Sequence, residues 1–122
     1  MKVFEIVPIA KPRMTRRDKW LNPARPCVAK YRAFCDELRL QVQGFVMPES
    51  NYHVIFVLPM PESWSLKKKE AMEGKPHQQV PDKDNLEKAL LDALCPVSDA
   101  HIWDGRVSKV WGFEGRITIA CP

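Results

Sequence analysis

A chain of 122 residues with 45% apolar and 28% charged content is the length and make-up of one ordinary globular domain, which excludes a disordered or disulfide-dependent mini-protein. It holds no run of about 18 apolar residues, which excludes a transmembrane helix of the usual kind. The net charge of +4 is unevenly spread: Lys2 to Arg39 carries ten basic residues against four acidic, and Asp82 to Asp104 six acidic against two basic, a pattern suited to an anionic polymer held against a cation site.

In chain order, Met1 to Ile9 is rich in β-formers and reads as a first strand, limited by Pro8. It lacks the basic start, long apolar stretch and small-residue cleavage site of a signal peptide, so a cytoplasmic location is expected. Residues 10–20 have no apolar period and are crowded with cations, which predicts a basic loop bearing Lys11, Arg13, Arg16, Arg17 and Lys19, with Trp20 at its end. From Pro26 to Gln43 the apolar residues Val28, Tyr31, Cys35, Leu38 and Val42 recur at helical spacing, with Pro26 suited to a first turn and Gly44 to a C-terminal stop. Asn51 to Met60 is the strongest strand signal, and Pro59 and Pro61 end it. Ser63 or Ser65 can cap a short helix through Met72, closed by Gly74, and the stretch from Lys67 to Val80 is expected to be the most flexible part of the chain. Asp84 to Leu94 predicts a second main helix, and Val107 to Trp111 and Arg116 to Ala120 two short strands joined by a glycine-containing turn. The expected fold is a single α+β domain, with a small mixed or antiparallel sheet packed against two main helices.

The four cysteines Cys27, Cys35, Cys95 and Cys121 show neither C-x-x-C spacing nor nearby histidines in a zinc pattern, so they read as reduced, mostly buried thiols. His53 lies inside a strand and reads as a packed residue. Trp20, Trp64, Trp103 and Trp111 read as core or interface residues more than base-stacking platforms.

The segment Val80 to Leu94 carries the chemistry. Leu86, Ala89, Leu90, Ala93 and Leu94 form one apolar stripe, and Asp84, Lys88 and Asp92 line up roughly opposite. Asp84 suits an N-cap, with Glu87 completing a capping box. Capping alone needs one residue, yet the segment supplies Asp82, Asp84 and Asn85. Asp82 and Asp84 are two apart on a segment that Pro81 makes extended, so both carboxylates can point the same way. Such paired acids repel, and a magnesium ion relieves the repulsion while keeping sites for water and phosphate. Lys88, one turn further in, can reach a phosphate oxygen. Asp92 reads chiefly as an ion-pair partner of Lys88.

Pro81-Asp82-Lys83-Asp84-Asn85-Leu86, then Lys88, then Asp92-Ala93-Leu94, resembles the signature of the RusA-type Holliday junction resolvases. Pro59-Met60-Pro61, Ser63-Trp64-Ser65, Lys67-Lys68-Lys69, Gly74-Lys75-Pro76-His77, and the early Lys11-Pro12-Arg13 with Arg16 and Arg17 fit the same family, so the likeness spans about residues 6 to 119. The resemblance implies a homodimeric, magnesium-dependent endonuclease of phage or prophage type, with manganese able to substitute, that cuts symmetrically related strands of four-way DNA junctions. Carried over residue by residue, Asp82, Asp84 and Asp104 would hold the metal, and Lys88 would assist catalysis. Asn85, Asp92 and His77 would stand behind them. The family usually shows two adjacent acids at the third position, whereas here the first is Trp103; Asp99 is the fallback for Asp104.

Lys11, Arg13, Arg16 and Arg17, and more weakly Lys67, Lys68, Lys69 and Lys75, are the expected phosphate contacts. Two readings compete with the resolvase: a branched-DNA nuclease of broader specificity, and a junction-binding structural protein that keeps the fold without the chemistry.

Overall fold

A computed structural model describes residues 1–122. Strand β2 (Tyr52–Pro59) anchors it, because its period-2 stripe Tyr52, Val54, Phe56 and Leu58 is buried along one face of a sheet. Beside it run β3 (Gly105–Gly112), in parallel, and β4 (Arg116–Ala120), antiparallel; β1 (Lys2–Phe4) closes the far edge antiparallel to β4. The order β1-β4-β2-β3 is a four-stranded mixed sheet, and with its helices the domain is α+β, as expected from the sequence. The first strand is shorter than Met1 to Ile9; Pro8 has no N–H to continue a ladder.

Two helices cover the buried face. Helix α1 (Pro26–Gln41) turns Val28, Tyr31, Phe34, Cys35 and Leu38 inward and ends before Gly44, which takes φ +83°. Helix α3 (Lys83–Leu94) buries Leu86, Ala89, Leu90 and Ala93 against α1 and the sheet. Phe4, Ile117 and Ile119 complete one core. No helix is long and apolar enough to cross a membrane.

The stretch from Lys67 to Val80 begins inside helix α2 (Leu66–Met72), whose N-cap Ser65 accepts the Lys68 N–H at 3.2 Å. It then lies along the β3 edge: the Gly74 N–H donates to Trp111 O at 2.9 Å, Trp111 N–H to Lys75 O at 3.0 Å, and His77 N–H to Lys109 O at 3.0 Å. The short helix expected through Met72 thus forms, and the residues after it pair with the β3 edge, which satisfies backbone groups on an otherwise open strand. The basic loop contains one 3-10 turn, Arg16–Lys19. The thiols are all free, but Cys27 and Cys121 are exposed, so "mostly buried" holds only for Cys35 and, in part, Cys95.

Candidate active site

Helix α3 starts two residues earlier than the capping pattern at Asp84 predicts. Asp82, with extended backbone at φ −69° and ψ 147°, is the N-cap; its carbonyl accepts the Leu86 N–H at 3.1 Å, and Asp84 falls within the first turn. The capping box centred on Asp84 does not form, because the Glu87 carboxylate instead accepts a hydrogen bond from the Tyr52 hydroxyl at 3.0 Å. The Asp82 carboxylate makes no capping bond, and the salt bridges of the chain use neither it nor Asp84. Both are exposed. Two unengaged acids therefore stand at the positive end of a helix, which favours negative charge there.

The segment leading into this helix is held from the sheet. Lys109 lies on the buried face of β3, paired in register with Phe56. Its ammonium donates to the carbonyls of Gln79 and Pro81, each at 2.7 Å. A lysine on the core-facing side of a strand, between Val107 and Trp111, is itself a sequence signal of a specific acceptor, and it was missed.

Beside α3 the basic loop makes direct contact. The Lys11 N–H donates to Asn85 O at 3.3 Å. Lys11, Pro12, Arg13, Asn85 and Lys88 line an open cleft of about 470 Å³ in which three of the five side chains are cationic. Asp92 does not pair with Lys88 as the i, i+4 spacing suggests: it binds Lys11 Nζ at 2.6 Å and accepts from the Tyr31 hydroxyl at 2.7 Å. Lys88 is left exposed on the cleft wall. Burial, reinforced by Asp92, pushes the Tyr31 phenol well above its usual range.

Asp104 stands at the start of β3. Its Oδ2 accepts the Asn51 N–H at 3.1 Å, and the neighbouring Trp103 N–H donates to Glu49 O at 3.0 Å. Trp103 is 75% exposed and fills no core position. No set of three or more His, Cys, Asp or Glu side chains gathers closely enough to hold a metal ion. Asp82, Asp84 and Asp104 are thus right in kind for a hard divalent cation but do not meet as a closed set of three ligands in the free chain.

The remaining predicted residues lie elsewhere. Arg16 and Arg17 are exposed on the 3-10 turn. Lys67, Lys68 and Lys69 are on α2, with Lys68 Nζ 4.2 Å from the Trp64 ring. Lys75 is exposed on the edge segment. His77 is 6% exposed and tilts onto the Trp111 ring at 4.1 Å; burial and then Lys109 hold its imidazole below the ordinary histidine range. It packs a sheet edge and contacts none of the acids. Asp99 is exposed, and its carbonyl accepts the Ile102 N–H. His53 is half-buried and shares a hydrogen bond with Ser108 at 2.9 Å.

Over residues 4–121 the chain matches the protein-family model described as Endodeoxyribonuclease RusA. No curated protein and no solved structure matches it. The family match spans nearly the whole chain and takes in the acidic helix start, the polar cleft and Asp104 alike; the chain belongs to the RusA family of endodeoxyribonucleases.

Proposed function

We propose that this protein is a divalent-metal-dependent endonuclease that resolves four-way DNA junctions as a homodimer. The observation that carries the reading is the pair of unengaged carboxylates of Asp82 and Asp84 at the head of α3, beside a cleft lined by Lys11, Arg13 and Lys88. Lys11, Arg13 and Lys88 suit a DNA phosphate in that cleft, with Asn85 offering an amide to a phosphate or sugar oxygen. Asp82, Asp84 and Asp104 would hold magnesium or manganese, which would supply Lewis-acid activation of the scissile phosphate and the attacking water. Lys88 would place its ammonium against the charge that develops on the phosphate as the P–O bond breaks. Arg16, Arg17, Lys67, Lys68, Lys69 and Lys75 would extend phosphate contacts along the arms. A homodimer suits the approximate two-fold symmetry of the junction, since one site per chain cuts one strand. Free thiols suit a reducing cytoplasm.

A second reading has its own observation. Asp104 is tied to Asn51, and no three potential ligands meet, which suits a junction-binding protein without cleavage. A labelled four-way junction and a linear duplex of the same sequence, each with Mg²⁺, Mn²⁺ or EDTA, separate the readings. Cutting of the junction alone, dependent on metal, is expected. Equal cutting of the duplex rejects junction specificity, and tight junction binding with no cutting in either metal selects the second reading. Asp84→Asn should abolish cleavage and leave junction affinity within about threefold. Its unfolding midpoint should barely move, because the side chain is exposed and in no salt bridge.

A further inference from the structure

One buried acid lies outside the α3 constellation. Asp18, 2% exposed, sits at the centre of the basic loop. Its two carboxylate oxygens take a fork from Arg25, Nε to Oδ1 at 2.8 Å and Nη2 to Oδ2 at 2.9 Å. The Thr15 N–H and hydroxyl also reach Oδ2, at 2.6 and 3.2 Å, and the Asp18 carbonyl accepts from Arg32 at 3.0 Å. The Arg25 fork, then the Thr15 N–H, hold this carboxyl well below the usual carboxylate range. Arg25 does not stop there: the same Nη2 donates to the backbone carbonyl of Arg13 at 2.9 Å. Arg13 lines the cleft with Asn85 and Lys88.

We propose that Asp18 is the positioning residue of the DNA-binding loop, fixing Arg13 on the cleft wall through Arg25. The inference rests on the reading that the cleft takes DNA phosphate. An arginine forked onto a buried acid has its donors engaged, so Arg25 acts as a strut and Arg13, Arg16 and Arg17 remain for the nucleic acid. Preorganised cations bind an anion without first being ordered by it, which raises affinity at constant contact number.

The sign of the effect separates this role from bare charge. Asp18→Asn removes one negative charge, and electrostatics alone then predicts tighter DNA binding. The strut predicts the reverse: Kd for a four-way junction, measured with EDTA present, weakens about tenfold, on the order of re-ordering one residue of backbone. The slope of log affinity against log salt stays within about half a unit of the parent chain, because the phosphate contacts re-form in the complex. Arg13→Ala, as the comparison, lowers that slope by about one. In cleavage assays Asp18→Asn raises KM and leaves kcat near the parent value, since the acids of α3 are untouched. Should Asp18→Asn melt below the assay temperature, Arg25→Lys carries the same test: it keeps the charge, loses the fork, and should weaken binding with an unchanged slope. A folded variant that binds as tightly as the parent, or tighter, overturns the proposal alone. A parent chain that binds no junction overturns the functional reading instead.

Discussion

The hydroxyl of Tyr52 donates to the carboxylate of Glu87, 3.0 Å away, and so ties the first residue of β2 to the middle of α3. The ring crosses directly over Gly105, its register partner on β3, one residue after Asp104. Burial and then Glu87, with a smaller contribution from the Asp104 charge, push the Tyr52 phenol well above its usual range. The phenol therefore lies between the helix that begins with Asp82 and Asp84 and the strand that begins beside Asp104. It is the physical spacer between the two acidic stretches that sequence alone brings together only by family likeness.

That spacer requires a glycine. A Cβ on Gly105 would overlap the Tyr52 ring atoms. Gly105→Ala must displace either the ring, breaking the bond to Glu87, or the start of β3, moving Asp104. A stability loss of about 1–3 kcal/mol is expected from overpacking, lowering the midpoint by about 4 °C for each kcal/mol. Cleavage should fall further than stability explains at a temperature where the variant is folded. Tyr52→Phe combined with Gly105→Ala gives a direct check. If the ring is what moves, the double variant loses less than the sum of the single changes.

The two high phenols give a pH dependence. Tyr31 and Tyr52 are both raised above the ordinary 10.0 by burial first and by their acidic acceptors second. A group with a raised folded pKa is protonated in both states below its unfolded value, so its full contribution is present there. Stability is lost as pH rises above about 10, where the unfolded chain ionises and the folded one does not. Stability from urea unfolding, measured from about pH 8 to 11, should fall first through the thiols Cys35 and Cys95, whose pKa burial also raises above 9.0, and then more steeply above about pH 10 through the phenols, by at most about 1.4 kcal/mol per pH unit for each group. Tyr31→Phe should flatten the fall. An equally steep fall in that variant would mean that burial and Asp92 do not hold the Tyr31 phenol protonated as the structure indicates.

The periodic parts were readable because burial writes them directly. The Tyr52–Leu58 stripe, the α1 stripe and the Leu86–Ala93 stripe follow from spacing, and each is buried. Local signals at helix ends were weaker. Asp84 and Glu87 satisfy the capping-box pattern, yet the structure gives the cap to Asp82, because two tertiary partners 28 residues or more away in sequence, Tyr52 and Lys109, take Glu87 and the carbonyls before the helix. Local pairing rules failed at Asp92 for the same reason: a neighbouring lysine at i−4 lost to Lys11 and Tyr31, which only the fold brings near. Nothing in the sequence singles out Asp18; its burial depends on Arg25 turning back over it, and no spacing rule encodes that.

Lys109 gives the sharpest test of how the acidic helix start is held. Its ammonium bonds the carbonyls of Gln79 and Pro81, the latter directly preceding Asp82. Lys109→Met keeps the aliphatic length on the buried side of β3 and removes both bonds. Two carbonyls then lose their donor, costing about 1–3 kcal/mol if water does not replace it. The larger effect should fall on chemistry, because Asp82 is the next residue and its carboxylate direction follows that backbone. We expect kcat for junction cleavage to fall about ten- to a hundredfold, the range seen when partners behind functional ligands are removed. Junction affinity in EDTA should stay within about threefold, since Lys11, Arg13 and Lys88 are untouched. The opposite pattern, weakened binding with kcat preserved, would make Lys109 a phosphate contact and leave the helix start to position itself.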